Sequence, residues 1–311
     1  MRTMPKPRPM EGRCPHRPLQ DIASSQNDFQ LVRPPSLGLP APHRVAAPAR
    51  VSSYPMRLQD KVIIVTGGTS GIGEAIAGRA VAEGARVLVH GIERADGEAV
   101  VARLGARAAL HLDDLLDPAS PERIVAAALR AFGRIDGLVN NAAIVARDTL
   151  ATARLDFFER MMAVNLRAPL FLIQAAFPHL KATQGSVVNI GSINAYSGQP
   201  SLLAYSLSKG GLQTLTRNLA NAHCTDQVRF NHLNVGWVLT TREYHHQIEH
   251  GMPPDWPDKV PTVFAPSGRL IRPEEVAAAT IYWLGDESRP ISGSVVELEQ
   301  YSLFGRNPDK Q

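Results

Sequence analysis

From residue 61 onward, short β-branched runs alternate with longer stretches whose apolar positions recur every three to four residues. Val62–Val65 and Val87–Val89 are apolar throughout, as strands buried on both faces must be. The pattern predicts strand 61–66, helix 72–83, strand 86–90, helix 96–104, strand 108–112, helix 119–132 and strand 135–140. There follow a long helix 154–181, strand 186–191, helix 203–222, strand 227–234, an irregular segment 237–267, helix 273–284 and strand 294–298. Strands alternating with helices imply an α/β fold, a doubly wound parallel sheet with helices on both faces, in a single domain over 56–311. The long helix carries more apolar surface than one stripe requires: Met161, Met162, Val164, Leu170, Phe171, Leu172, Ile173, Ala176 and Phe177. One face covers the sheet, and the surplus needs a second partner.

Two motifs carry chemistry. The first strand runs into Thr66-Gly67-Gly68-Thr69-Ser70-Gly71-Ile72-Gly73 and then into a helix, the setting a dinucleotide loop requires. Gly67 permits the turn, Gly71 lets backbone approach a pyrophosphate, and Gly73 lets the helix pack closely. The helix N-terminus offers unpaired N–H groups and a positive dipole to phosphate. The second motif is Tyr205 and Lys209, one helical turn apart on a single face, with Ser192 at the end of the preceding strand. A cation beside the phenol is expected to lower its pKa and make it a general acid/base. The Ser192 hydroxyl would hold a carbonyl or alcohol oxygen.

With these motifs the chain resembles the short-chain dehydrogenase/reductase family, in its single-domain branch with a Rossmann-type fold. The resemblance spans about residues 56 to 298. It includes Asp114, Asn140-Asn141-Ala142-Ala143 with Ala143 in place of the usual Gly, Asn165, and Gly236-Trp237-Val238-Leu239-Thr240 after Val235, which replaces the usual Pro. It extends to Gly268–Val276, a late loop-to-helix signature. The resemblance implies reversible hydride transfer between a nicotinamide cofactor and a carbonyl/alcohol pair. It implies a catalytic set of Asn165, Ser192, Tyr205 and Lys209, with Asn165 fixing a water that connects Lys209 to solvent. Cofactor contacts fall to Gly67, Thr69, Ser70, Gly71, Ile72, Gly73, Gly91, Asp114, Leu115, Asn141, Ala142, Ala143, Tyr205, Lys209, Gly236, Val238 and Thr240. Substrate contacts fall to Ser192, Asn194, Gln199, Tyr205 and Trp237, and their polarity suggests a small polar substrate. By the same resemblance, helices 154–181 and 203–222 form a homodimer or homotetramer interface.

The choice between NAD(H) and NADP(H) turns on the end of the second strand. A carboxylate there would bind the ribose hydroxyl and reject a 2′-phosphate. Gly91 stands at that position and Arg94 follows within reach, although Glu93 could instead serve a ribose. The balance falls to NADP(H). A non-catalytic nicotinamide sensor on the same fold is the alternative, and it predicts a damaged proton relay. A dehydratase or epimerase is disfavoured by the glycine spacing.

Charge and composition remove other classes. The net charge of +4 belongs to residues 1–55, which hold eight Lys/Arg against three Asp/Glu and 11 of the 24 prolines. The remaining chain is close to neutral, so nucleic-acid binding has no support. The 1–55 segment is expected to be a disordered Pro/Arg-rich extension, and Met56 resembles a family N-terminus directly before the first strand. A targeting role for 1–55 stays open, as does its absence from the working protein. Only two cysteines occur, which fits a reducing, cytoplasmic setting, and no apolar run suggests a membrane. His245, His246 and His250 invite a metal, but neighbours on a helix diverge, so no metal site is expected.

Overall fold

In the computed structural model, which describes residues 56–301, seven strands run parallel throughout. They are β1 (Val62–Thr66), β2 (Arg86–Gly91), β3 (Ala108–Leu112), β4 (Gly137–Asn140), β5 (Ser186–Ser192), β6 (Arg229–Val235) and β7 (Val295–Leu298). Their order across the sheet is β3-β2-β1-β4-β5-β6-β7, so the winding reverses between β1 and β4. Ligands of open α/β sheets bind outside the strand ends at such a reversal. The extension expected over 1–55 lies outside the described residues.

The connecting helices are α1 (Gly71–Ala82), α2 (Arg94–Leu104), α3 (Ser120–Phe132), α4 (Leu155–Met162), α5 (Ala168–Thr183), α6 (Asn194–Ser197), α7 (Leu203–Ala222), α8 (Thr241–Glu249) and α9 (Pro273–Leu284). Alternate strand residues feed two cores. Ile63, Val65, Val87 and Val89 pack with α1, α2 and α9, while Ile64, Leu88 and Leu138 pack with α3, α5 and α7. Coverage on both faces is why these strands are apolar without interruption.

Two elements differ from the sequence expectation. The long helix is interrupted by a π turn at Ala163–Arg167, where the Ala168 N–H reaches back five residues to the Ala163 carbonyl. The wide turn carries Asn165 fully into the interior. The segment expected to be irregular contains α8, started by Thr240, whose hydroxyl accepts the Glu243 N–H at 3.0 Å. Behind α8, Trp256, Ala265 and Leu270 are buried with Trp237, Leu239, Tyr244, Ile248 and Val260 in a small core of their own. By length and composition alone the Leu155–Thr183 stretch could cross a membrane, yet half of its most apolar window is buried within the fold.

Candidate active site

The glycine loop is shaped by contacts a side chain would block. Gly67 and Gly71 have φ of +61° and +55°, the left-handed region. A Cβ at Gly73 would lie 2.0 Å from the Gly67 carbonyl oxygen, so the start of α1 sits directly on the turn. Asn141 braces that turn, its Nδ2 donating to the carbonyls of Thr66 at 2.9 Å and Gly67 at 3.2 Å. The Thr66 hydroxyl accepts the N–H groups of Asn141 and Ala142, which carries the chain to Ala143. Both amide protons of Asn141 are therefore used within the protein, and its role here is support. Ser70 is exposed at the N-cap of α1, and its side chain caps none of the helix N–H groups. The N–H groups of Gly71, Ile72 and Gly73 belong to the first turn of a helix, where no intrahelical partner exists. Across from them stands Thr240, whose Cγ2 would lie 3.3 Å from a Cβ at Gly71. The cradle fits a pyrophosphate.

At the end of β2, Gly91 is buried against Thr69, and a Cβ there would lie 2.4 Å from the Thr69 Cγ2. An acidic side chain at 91 would thus require Thr69 to move. Arg94 extends into solvent in the first turn of α2 and, among the described residues, pairs with Glu98 at 3.2 Å. On the neighbouring strand end, Asp114 is exposed and accepts the Leu116 N–H at 2.9 Å, while Leu115 is buried below. His90, the residue before Gly91, is buried with its Nε2 3.1 Å from the Asp113 carbonyl, and burial pulls its imidazole down to about 4.

Ser192, Tyr205 and Lys209 meet at the end of β5. Ser192 is hydrogen-bonded to the Tyr205 phenol. Its hydroxyl also accepts the Asn194 N–H at 3.2 Å, which fixes the start of α6. Lys209 is buried and donates to the Ile190 carbonyl at 2.8 Å, with Nζ 5.7 Å from the tyrosine ring centroid. The expectation that Lys209 lowers the Tyr205 pKa does not hold for the protein groups taken alone. Burial pushes the phenol up to about 12, offset in part by the Ser192 bond, and burial pulls Lys209 down to about 8. The Lys209 ammonium is directed to the Ile190 carbonyl, and burial disfavours its charged form just as it disfavours the phenolate.

Asn165 is placed by the π turn against the loop after β4. Its Oδ1 accepts the Ile144 N–H at 2.8 Å, and its Nδ2 donates to the Ile144 carbonyl at 2.9 Å and to the Ser208 hydroxyl at 3.1 Å. Ser208 donates in turn to the Tyr205 carbonyl at 2.7 Å. The Asn165 side chain is committed to the protein and joins that loop to the tyrosine helix. Sequence reasoning passed over Ser208, though its place next to Lys209 on the same helix was a usable signal.

The loop after β6 is wedged by a carboxylate: a Cβ at Gly236 would lie 1.9 Å from Glu299 Oε2. Glu299 also accepts the Trp237 N–H, and burial raises its pKa. Val238 pairs with Ile271, and the Trp237 indole donates to Glu243 at 2.8 Å while stacking on Trp256 with centroids 5.6 Å apart. Of the expected substrate contacts, Asn194 adjoins Ser192, Trp237 is half-buried against the small core behind α8, and Gln199 is exposed beside Ser201. Among the described residues, no three His, Cys, Asp or Glu side chains gather as a metal site.

This geometry has close counterparts. The model of the short chain dehydrogenase family matches residues 61–249. Meso-2,3-butanediol dehydrogenase of Serratia marcescens is 32% identical over 78% of this chain and 95% of its own. The 3-beta-hydroxysteroid dehydrogenase of Comamonas testosteroni is 31% identical over 80% and 98%. Among solved structures, an NADP-bound 3-oxoacyl-(acyl-carrier-protein) reductase from Agrobacterium tumefaciens superposes with a TM-score of 0.72 at 29% identity, covering 78% of this chain and 95% of that one. The chain belongs to the short-chain dehydrogenase/reductase family. It is a nicotinamide-dependent oxidoreductase acting on an alcohol/carbonyl pair, and the non-catalytic alternative falls away.

Proposed function

We propose that the protein is an NADP(H)-dependent carbonyl reductase and alcohol dehydrogenase for a small, moderately polar substrate. The observation that carries this reading is the meeting of Ser192, Tyr205 and Lys209 at the strand end that faces the glycine cradle. Gly71, Ile72 and Gly73 hold the pyrophosphate, Asp114 and Leu115 the adenine, and Val238 and Thr240 the nicotinamide side. When bound, the nicotinamide supplies the hydride and, in its oxidised form, a positive charge. Ser192 holds the substrate oxygen, and Tyr205 delivers its proton during reduction and removes it during oxidation. A phenol pushed up to about 12 is fully protonated at neutral pH, which suits it to the reductive direction. Lys209 anchors the ribose and resupplies the proton, and Asn165 keeps that route in place.

NADP(H) is favoured by the lack of a carboxylate at Gly91, by Arg94, and by the cofactor in the superposable reductase. A homodimer or homotetramer is part of the reading. Leu155, Phe158, Leu170, Phe171 and Leu207 leave an exposed apolar face on α4, α5 and α7. A cytoplasmic setting is supported by Cys224, a free and exposed thiol.

Turnover of NADPH and NADH against 2,3-diketones, sugars, polyols and hydroxy acids tests the reading. The expected result is NADPH-preferring reduction of a small polar carbonyl. Activity confined to bulky apolar ketones, or to NADH, contradicts the corresponding part.

A further inference from the structure

Asp148 is a buried carboxylate with no ion-pair partner among the described residues. It lies on the loop between β4 and α4, yet it serves α7. Leu202, the N-cap of that helix, has no side-chain oxygen with which to cap it. Instead both Asp148 oxygens face the Ala204 N–H, at 3.0 and 3.3 Å. The backbone is tied as well: the Asp148 N–H donates to the Ser201 carbonyl at 3.1 Å, and the Leu203 N–H to the Asp148 carbonyl at 3.4 Å. Four residues earlier, Ile144 is clamped by Asn165, which reaches the Tyr205 carbonyl through Ser208. Between the two anchors, Ile144 and Ala146 pack with Met161, Leu202, Ala204 and Tyr205 in one small apolar cluster. The segment 144–148 is a strap around the first turns of the helix that carries the tyrosine.

We propose that Asp148 is a positioning residue for Tyr205, holding the first turn of α7 in register and placing an anion at that helix end. The anion opposes the positive end of the helix dipole, which by itself favours the phenolate. Asp148 therefore raises the proton affinity of Tyr205 and keeps it an acid. The charged or polar groups facing Tyr205 are Lys209 from α7 and the Ser192 hydroxyl from β5, while the Asp148 carboxylate sits one residue before it, at the Ala204 N–H. Arg147, the adjacent cation, is turned outward to the Ser201 hydroxyl at 2.9 Å.

The inference rests on the proposed function only for its kinetic part, so two measurements separate the two claims. Asp148→Asn keeps an acceptor and removes the charge, whereas Asp148→Ala removes both. Hydrogen exchange of the Ala204–Ser206 amides needs no substrate. Asp148→Ala should lose about tenfold of their protection, while the last two turns of α7 stay unchanged. In Asp148→Asn, the acidic limb of the kcat profile for NADP-dependent alcohol oxidation should move to lower pH by about half a unit. Unchanged exchange in Asp148→Ala overturns the positioning claim. A superimposable pH profile in Asp148→Asn, with the parent active, overturns the charge claim. An inactive parent with lost protection in Asp148→Ala contradicts the proposed function and leaves the strap supported. Should Asp148→Ala fail to fold, exchange in Asp148→Ser decides, because its shorter hydroxyl stays polar but falls short of the Ala204 N–H: the strap stands if Ala204–Ser206 protection is reduced and falls if it is unchanged.

Discussion

The core behind the catalytic helix and the segment around α8, a candidate lid, hold their shapes by different means. Behind α7 a chain of side-chain hydrogen bonds crosses the sheet. It runs from Asn140 to Asn189, Thr216, His232, Asn234 and Gln213, in links of 2.7 to 3.2 Å. In the lid, Trp256 is fully buried and stacks between Trp237 and Tyr244, with centroids 5.6 and 6.5 Å away. Hydrogen bonds are directional, so the first arrangement locks α7, which carries Lys209, to β5, which carries Ser192, and to β6 in one geometry. Stacked rings tolerate sliding, so the second keeps a small core while adapting to a substrate. Rigidity is concentrated where a proton and a hydride must be placed, and tolerance where molecules must enter.

Substitutions at the close approaches break the rigid half most severely. Gly73→Ala should weaken NADPH binding on the order of a hundredfold, since its Cβ meets backbone oxygen and the cradle must open. Fluorescence titration measures this, with circular dichroism to confirm the fold. In the lid, Trp256→Ala should remove ~3–5 kcal/mol of local stability. The expected outcome is a rise of about tenfold in substrate KM with NADPH affinity nearly unchanged. An equal loss of cofactor affinity would show that the two regions are not separable.

Gly191→Ala tests the hydrogen-bonded chain itself. Its Cβ would lie 1.9 Å from His232 Nε2, and the substitution should destabilise by ~1–3 kcal/mol. Adding His232→Ala should recover part of that loss in a melting experiment. A pH dependence follows from the same buried histidines. His90 and His232 are pulled down by burial to about 4 and about 3, from an ordinary value near 6.5. The unfolded chain therefore takes up protons first as pH falls. The stability these groups contribute is intact above pH ~6.5 and is lost progressively toward pH 4. Melting temperatures should fall over that window, and less steeply in His232→Gln. The smallest effect is expected at the surface. Arg94→Glu should weaken NADPH about five- to tenfold and leave NADH unchanged.

Much of this division was legible in the sequence. The glycine loop was readable because a Gly at 67, 71 or 73 answers a backbone requirement that no other residue meets. Tyr205 and Lys209 were readable because helical spacing alone puts them on one face. The electrostatics between them were not, since burial decides the Tyr205 and Lys209 pKa values and spacing says nothing about burial. Nor was the π turn at Asn165, which arises from contacts with Ile144 and Ser208, residues 21 and 43 positions away. In the lid, Thr240 and Glu243 carried a helix-start signature within the segment expected to be irregular. Trp256 gave no periodic signal at all, because its partners come from the loop after β6, from α8 and from the loop residues Val260, Ala265 and Leu270.

The central claim is that Tyr205 moves the substrate proton at a site where the cofactor binds independently. Single-turnover reduction by Tyr205→Phe, with NADPH affinity measured in parallel, tests it most directly. The account predicts a loss of about 10²–10⁴-fold in rate, with NADPH affinity within twofold of the parent. An unchanged rate would contradict it.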